Sequence, residues 1–407
     1  MENVSSSNGL EKCPKLRFPE FTEPWRTTQL CKLFQKNTQK NSSGAITNVI
    51  SNSAKNGLIP QKDYFDKDIA NADNTAGYYI IRKNDFVYNP RKSSDAPYGP
   101  ISRYTYDDDG IVSPLYLCFR SKDVNPEYFE KYFRSTAWHR YIYMFGDSGA
   151  RHDRVSIKDE IFFEMPVHLP CNKEQEKIAT FLSILERKIE LQRILVENFK
   201  KYKRGLLNKL LADNSPDANW RVLCFQDVAE GFDYGMNSAA TTFDGVHKYI
   251  RITDIDDDSR QYLSYDVVSP SNTPEEKYKV NTNDILFART GASVGKSYLY
   301  VPEDGELYFA GFLIRISVKS EYDNYFVYLN TLTSKYEKWI KLESMRSGQP
   351  GVNAEQYRNF SFRCPDYQTQ VKIAKIIRVF DLKISKESNV LVQLSSLKNG
   401  FLQQLFI

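Results

Sequence analysis

The sequence has few cysteines and histidines and no long apolar run, and each shortage excludes a class of protein. Its 6 cysteines and 4 histidines are scattered over 407 residues without a CxxC pair, whereas a structural zinc site needs ligands at short spacings. We therefore expect free thiols in a reducing compartment and no bound metal. No apolar run reaches the roughly 18 residues that span a bilayer, and the polar start, Met1 to Asn8, does not resemble a signal peptide. These shortages predict a cytoplasmic protein without membrane association.

Catalytic and nucleotide-binding motifs are also missing. The segment from Gly291 to Ser297 is similar to a P-loop, but three residues separate its glycines where a P-loop has four. Strand-like residues follow it, in place of the helix that would direct backbone amides at a phosphate. No Asn/Asp-Pro-Pro-aromatic, GxGxxG, GxSxG or HExxH motif occurs. We therefore predict a chain that is not an enzyme by itself and binds no cofactor directly.

The sequence does contain an internal duplication, at a shift of 195 residues. The shift takes Trp25-Arg26 onto Trp220-Arg221 and Lys177-Ile178-Ala179 onto Lys372-Ile373-Ala374. Further matches at the same shift continue to the end of each half. One offset that holds from the start to the end of both halves predicts a pseudo-two-fold internal repeat.

Each half ends in a segment that reads as a long helix with one apolar stripe. From Ile178 and from Ile373, positions spaced alternately four and three apart are apolar at eight of ten places, and the two polar interruptions match. This is a heptad seam, so we expect the helices to pair as an antiparallel coiled coil, a rod of roughly 50 Å. The alternative is that each helix packs only on its own domain. The residues predicted for the coiled-coil and partner interface are Ile178, Leu182, Leu185, Ile189, Phe199, Leu206, Leu210, Ile373, Ile377, Phe380, Ile384, Leu391, Leu394 and Leu405.

The segments between these repeated frames mix strand-like runs with shorter helical stretches. Runs such as Tyr78 to Ile81 and Leu313 to Ile316 are broken by Gly, Asn and Asp turns, and helical stretches lie near Asn125 to Met144 and Asn324 to Leu342. We therefore predict an α+β fold, with one mixed domain in each half. The predicted segments are a flexible tail at 1–14, a first domain at 15–170, a first helix at 171–211, a linker at 212–219, a second domain at 220–364 and a second helix at 365–407.

Four stretches carry a family resemblance. They are Lys15 to Phe21 with Pro24-Trp25-Arg26, Asn84 to Pro90 with Gly110 to Tyr116, Asn283 to Gly291 with Val294-Gly295-Lys296, and Glu174 to Ala179 leading into Leu206 to Leu211. In that order they resemble the opening, two types of target recognition domain and the central conserved helix of the specificity subunits of Type I restriction-modification systems. The resemblance extends along nearly the whole chain.

The resemblance implies two target recognition domains, each reading one half of an asymmetric, bipartite site in double-stranded DNA, with the helices setting the gap. It also implies two methyltransferase (M) subunits that use S-adenosylmethionine to methylate adenine N6, and restriction (R) subunits that use ATP and Mg²⁺ to cleave. None of these cofactors is expected to bind this chain. The alternatives are a fused methyltransferase-nuclease and a protein-binding scaffold.

Clusters of cations with small or amide-bearing residues are the predicted DNA contacts. Small residues let backbone amides and cations approach phosphate, and arginine or glutamine side chains pair with guanine or adenine edges. For any single residue, a solvated surface position is the alternative. The predicted contacts are Lys83, Tyr88, Asn89, Arg91, Lys92, Arg103, Arg151, His152 and Arg154 in the first domain, and Arg251, Arg289, Thr290, Ser293, Lys296, Arg346, Ser347 and Gln349 in the second.

Overall fold

A computed structural model of the chain describes residues 13–61, 75–147, 153–211, 220–345 and 350–407. The predicted linker at 212–219 and most of the predicted tail lie outside these residues. The chain forms two compact units. The first contains the residues up to Gln192 together with Val390–Ile407, and the second contains Arg193–Asn389. Among the described residues, no helix combines the length and the apolar character needed to cross a membrane.

The first unit is built around a four-stranded antiparallel sheet with strand order β2-β9-β6-β7, accompanied by the two-stranded sheets β1-β10, β3-β4 and β5-β8. Its core is aromatic: the ring of Phe34 lies edge-on to Phe119 and Phe129, at 5.2 and 4.9 Å between centroids. The elements are β1 Arg26–Gln29, α1 Leu30–Leu33, β2 Phe34–Lys36, β3 Ile50–Ser53, β4 Gly57–Pro60, β5 Tyr79–Ile81, β6 Phe86–Tyr88, β7 Ile101–Arg103, β8 Gly110–Val112, β9 Leu117–Ser121, α2 Pro126–Arg134, α3 His139–Phe145, α4 Asp159–Phe163 and β10 Pro166–Leu169, followed by the long helix α5 Asn172–Leu210.

The second unit repeats this plan with a four-stranded sheet of order β12-β19-β16-β17 and the two-stranded sheets β11-β20, β13-β15 and β14-β18. Phe287 on the central strand β16 packs with Phe225 and Tyr357 in its core. The elements are β11 Arg221–Cys224, α6 Phe225–Val228, β12 Ala229–Tyr234, β13 Ala240–Thr242, β14 Lys248–Ile250, β15 Val268–Pro270, β16 Asp284–Ala288, β17 Ser297–Leu299, β18 Leu307–Phe309, β19 Leu313–Val318, α7 Asn324–Asn330, α8 Ser334–Ser344, α9 Ala354–Arg358, β20 Ser361–Cys364 and the long helix α10 Tyr367–Gln404.

The shift of 195 residues seen in the sequence also relates elements of the structure. It takes β1 onto β11, α1 onto α6, α4 onto α9 and β10 onto β20 at both bounds. The pairs β1-β10 and β11-β20 are both antiparallel, with Arg26 opposite Leu169 and Arg221 opposite Cys364. The prediction of an α+β fold with an internal repeat is therefore confirmed.

The long helices pack against each other in opposite directions. In the first unit, Ile178 and Leu182 near the start of α5 share a core with Leu402 and Leu405 near the end of α10. In the second unit, Leu207 near the end of α5 shares a core with residues at the start of α10, including Ile377. Every position of the two predicted heptad seams is buried or half-buried. The predicted antiparallel helix pair is confirmed.

Reciprocal ion pairs join the helices in both units. In the first unit, Glu186 of α5 lies 3.9 Å from Nζ of Lys398 on α10. The shift of 195 residues carries these two residues onto Asp381 of α10 and Lys203 of α5, which form an ion pair in the second unit. Lys203 and Lys398 are the second polar interruption of each predicted seam, so the interruption is met by a carboxylate on the opposite helix.

Candidate nucleic-acid interface

In the first unit, two chain segments that carry predicted DNA contacts lie side by side. Asn89 to Lys92 follows β6, and Asp153-Arg154 stands a few residues before α4. Arg91 and Arg154 form an antiparallel β-bridge, and the amide of Lys92 donates to the carbonyl of Asp153 at 2.8 Å. We call these residues the first paired segment. It gathers three cations, Arg91, Lys92 and Arg154, at the end of a buried strand.

The turn that begins the first paired segment is held by local hydrogen bonds. The side-chain carbonyl of Asn89 accepts from the amide of Arg91 at 3.1 Å, and its side-chain amide donates to the carbonyl of Asn52 at 3.1 Å. Gly99, at φ +82°, packs so closely that a Cβ there would lie 2.1 Å from the carbonyl oxygen of Asn89. A glycine is therefore required opposite this turn.

The second unit builds the same arrangement from Arg289 to Gly291, after β16, and Pro350 to Val352, before α9. The amide of Val352 donates to the carbonyl of Arg289 at 2.9 Å, and Thr290 bridges to Gly351. We call these residues the second paired segment. The guanidinium of Arg289 lies over the ring of Tyr234, 5.0 Å from its centroid. In both units, the paired segment thus joins the residues that follow one strand of the four-stranded sheet, β6 or β16, to the residues that precede a short helix, α4 or α9.

One arginine in each paired segment has a donor without a partner. Nε of Arg154 and Nε of Arg289 are buried and have no hydrogen-bond partner among the described residues. An unpaired buried donor costs free energy, and the other guanidinium nitrogens remain as donors for an acceptor outside the protein. Guanidinium groups bind phosphate oxygens and guanine edges. The paired segments therefore have the chemistry that DNA binding requires.

Two predicted contacts of the first unit lie at the opposite end of β6. Lys83 precedes the strand and pairs with Asp107 at 2.6 Å, and Arg103 pairs with Glu130 at 2.7 Å. Both line a cavity of about 520 Å³ together with carboxylates that include Glu127 and Glu176. Carboxylates repel a phosphate backbone, so the predicted first cluster divides, and Lys83 and Arg103 are not part of the paired segment.

Two other predicted contacts are corrected by their burial, and a third is ion-paired. Tyr88 is 2% exposed, and its ring stacks on Phe162 inside the core. Lys296 is 6% exposed, and its ammonium donates to the carbonyl of Ile255 at 2.9 Å. Arg251 is held by Asp254, with donor–acceptor distances of 2.8 to 3.2 Å. Tyr88 and Lys296 are therefore not available to a duplex, because both side chains are buried, whereas Arg251 is half-buried and its contact with DNA stays a prediction.

The remaining predicted contacts fall in two classes. Thr290 and Ser293 are half-buried beside Arg289, and Ser293 ends a 3₁₀ turn at Gly291–Ser293 that is followed by strand β17. Arg151, His152, Arg346, Ser347 and Gln349 lie outside the described residues. The described chain resumes after these gaps at Asp153 and Pro350, which belong to the first and second paired segments.

Two helices stand next to the paired segments, in stretches that the sequence predicts as helical but to which it assigns no contact. Helix α3 leads to Asp147, whose amide donates to the carbonyl of Ser156 at 2.8 Å, just beyond Arg154. Helix α8 packs on the loop after Arg289: the hydroxyl of Tyr336 donates to the carbonyl of Gly295 at 3.1 Å. Their position beside the arginines arises from tertiary packing, so residue type alone gave no signal for it.

Comparison with known proteins identifies related chains. A family model for the Type I restriction modification DNA specificity domain matches residues 26–197 and again residues 218–395. The chain is 29% identical over 130 residues to the specificity subunit of the Type I restriction enzyme MjaVIII from Methanocaldococcus jannaschii. That match covers 31% of this chain and 29% of the relative, so it spans less than a third of either protein.

Two solved structures share the fold over almost the full chain. The S subunit of the Type-I restriction-modification system from M. genitalium has a TM-score of 0.57 at 16% identity, over 97% of this chain and 99% of that chain. A structure from work on complex assembly and conformational transition of the type I R-M system has a TM-score of 0.60 at 13% identity, over 94% of this chain and 97% of that chain. At these identities the likeness concerns the fold alone.

Proposed function

Because the chain belongs to the family of Type I restriction modification DNA specificity domains, we propose that it reads a bipartite, asymmetric DNA site for a restriction-modification complex. Each recognition domain takes one half of the site. The paired segments supply the contacts, with Arg91, Lys92 and Arg154 in the first domain and Arg289 in the second. The observation that carries the proposal is that the paired segment of each domain contains an arginine whose buried Nε has no hydrogen-bond partner among the described residues, Arg154 before α4 in the first domain and Arg289 after β16 in the second.

The phosphate backbone would supply most of the affinity, and base edges the discrimination. The Nε atoms of Arg154 and Arg289 are buried, so protein on one side would restrict the directions that their guanidinium groups can take. A fixed guanidinium pairs with the O6 and N7 of guanine better than a mobile one, because less side-chain entropy is lost. We assign these two arginines to base or phosphate contact in separate half-sites.

The long helices would set the spacing of the half-sites and dock the catalytic subunits. Ile184 on α5 and Leu397 on α10 are exposed apolar residues of the first unit, and the shift of 195 residues takes Ile184 onto the exposed Val379. It also relates the exposed Tyr202 to Leu397. The second unit therefore carries Val379 and Tyr202 at the positions that correspond to Ile184 and Leu397 of the first unit. Two equivalent apolar patches fit two methyltransferase subunits. Restriction subunits would join through them, and S-adenosylmethionine, ATP and Mg²⁺ would bind to those partners.

Methylation mapping in cells tests this function. A host that expresses the chain with a Type I methyltransferase subunit should acquire N6-methyladenine within one split motif. Arg289→Ala should weaken specific binding by about 1–3 kcal/mol and reduce methylation at that motif, because a good contact to a base is worth that much. Arg154→Ala should act in the same way through the other half-site.

Spacing is tested by deleting one heptad from both helices. The unread gap between the half-motifs should shorten, since about 10 Å of helix is lost at 1.5 Å per residue. An unchanged gap would refute the role of the helices as a spacer. A methylome without any motif that depends on the chain would refute the proposed function itself.

A further inference from the structure

Helices α3 and α8 occupy the same place in the two units. A shift of 198 residues takes the buried Trp138 and Ile142 onto the buried Tyr336 and Ile340, and the half-buried Tyr141 onto the half-buried Trp339. The hydroxyl of Tyr141 donates to the carbonyl of Ile161 in α4 at 2.9 Å, and Trp339 packs on Tyr357 in α9. One face of each helix is thus anchored on the core in the same way.

The opposite faces combine cations with large apolar side chains that the protein leaves uncovered. On α3, Arg140, Tyr143 and Met144 are exposed, the last two at 74% and 62%. The same shift takes them onto Lys338, Lys341 and Leu342 of α8, which are also exposed, Leu342 at 64%. None of these cationic side chains has an ion-pair partner among the residues that the structure describes. Exposure of a long apolar side chain to water costs free energy. Because such a side chain recurs at the same position of both helices, as Met144 and Leu342, we interpret these faces as a ligand surface.

Both helices lie close to the paired segments. Residue Asp147 at the end of α3 exchanges two backbone hydrogen bonds with Ser156, at 2.8 and 2.7 Å, and so lies next to Arg154. On α8, the side chain of Ile340 packs directly against Gly295, where a Cβ would lie 2.6 Å from it. Each helix therefore lies beside the surface to which we assign arginine contacts to DNA.

We propose that α3 and α8 are the reading helices of the two domains, each entering the major groove of its own half-site. Arg140 and Lys338 contact guanine edges or adjacent phosphates, and Met144 and Leu342 contact thymine methyl groups. The major groove of B-DNA admits an α-helix, and thymine presents its only apolar group there. The duplex is the favoured occupant because the faces are cationic as well as apolar. This inference rests on the proposed function and names the residues that determine base choice.

The test selects binding sites from a pool of duplex oligonucleotides with randomised positions, using the full chain with and without a Type I methyltransferase subunit. Wild type should enrich a motif with two halves. The double variant Arg140→Gln/Met144→Ala should lower enrichment of the bases in one half about tenfold and leave the other half within about twofold. The variant Lys338→Gln/Leu342→Ala should do the reverse. All four side chains are exposed, so thermal unfolding of both variants should match wild type.

Two exposed residues away from these faces are matched controls. Lys32→Gln removes a cation from the first unit and Val222→Ala removes apolar surface from the second, and both should select the wild-type motif. If the two double variants select the wild-type motif at full strength, the reading-helix inference is overturned while the proposed function stands. If wild type selects no motif under either condition, the proposed function fails and takes the inference with it. Replacing thymine by deoxyuridine in the affected half should weaken wild type and leave the Met144→Ala or Leu342→Ala variant unchanged.

Discussion

In the first unit β5 and β8 pair in antiparallel order, whereas in the second unit β14 and β18 pair in parallel. The accompanying small sheets also differ. In the first unit β3 pairs with β4, the next strand in the sequence, whereas in the second unit β13 pairs with β15 and the strand between them in the sequence, β14, belongs to another sheet. By contrast, β1, α1, α4 and β10 recur at a constant shift in the second unit. The parts that hold the long helices are retained, and the parts between them have diverged. A duplicated frame of this kind can carry two unlike binding surfaces.

The two units should differ most in how they tolerate a side chain at one glycine, which lies in the connection between the third and fourth strands of each four-stranded sheet. Gly99 and Gly295 both have φ near +80°, but a Cβ at Gly99 would meet a backbone oxygen, whereas one at Gly295 would meet the side chain of Ile340. Gly99→Ala should therefore lower the free energy of unfolding by about 2–6 kcal/mol, and Gly295→Ala by about 1–3 kcal/mol. Chemical denaturation measures both.

Gly44 provides the control for these variants, because it has φ +67° and a Cβ at this position would have no neighbouring atom within 4 Å. Gly44→Ala reports the conformational cost alone and should be the mildest of the three substitutions. Equal losses for Gly44→Ala and Gly99→Ala would show that the close approach to Asn89 is unimportant.

The next largest difference in stability between the units is expected at Glu186 and Asp381, the carboxylates of the two ion pairs between the long helices. Glu186 contacts Lys131 at 2.5 Å and Arg134 at 3.0 Å in addition to Lys398. Burial opposes its ionisation, but Arg134 and Lys131 hold the pKa of Glu186 below its usual value. Glu186→Gln leaves the 5%-exposed Lys131 without its closest partner and should cost about 3 kcal/mol.

Asp381 is more exposed, at 39%, so Asp381→Asn should cost only about 1 kcal/mol. The difference should shrink as the pH falls through the depressed pKa of Glu186, because the wild-type carboxylate then loses the charge that the variant lacks. Denaturation of both variants at neutral and acidic pH checks this ranking. Equal costs at neutral pH would contradict it.

The smallest expected effect concerns His139, which has a glutamate as its counterpart in α8. Burial lowers the pKa of His139 below its ordinary value, so the folded state favours the neutral ring. Its contribution to stability is complete above about pH 6.5 and is lost as the pH falls through the lowered pKa, by at most about 1.4 kcal/mol for each pH unit between the two pKa values. Unfolding at about pH 7.5 and pH 5, on either side of the ordinary histidine pKa, measures this loss. His139→Phe should reduce it, and an identical loss in that variant would assign the effect to other groups.

The helix pair was predictable because a heptad pattern depends only on residue type and spacing. Ile178, Leu182 and their counterparts had to face an apolar partner, and the duplication supplied one. The acidic partners of Lys203 and Lys398 were also within reach, since the repeat shift relates Glu186 to Asp381. The pattern did not show which side chains of one helix would contact which side chains of the other.

The DNA-binding surface was harder to predict, because residue type does not determine exposure in a mixed sheet. Tyr88 and Lys296 have side chains suited to nucleic acid, yet the strand and loop that carry them direct both inward. Arg91 and Arg154 are far apart in sequence and meet only through a β-bridge. The exposed faces of α3 and α8 depend on which side of a short helix the core covers, and this is settled by packing against α4 and α9.

The crossed ion pairs of the long helices have an evolutionary consequence. Each helix supplies the acid in one unit and the base in the other, so each of these two contacts joins residues from different halves of the sequence. The signs at 186 and 398, and those at 203 and 381, are therefore linked across the two halves. Recombination that replaces one half by a diverged relative would keep both contacts only where the incoming helix preserves these signs.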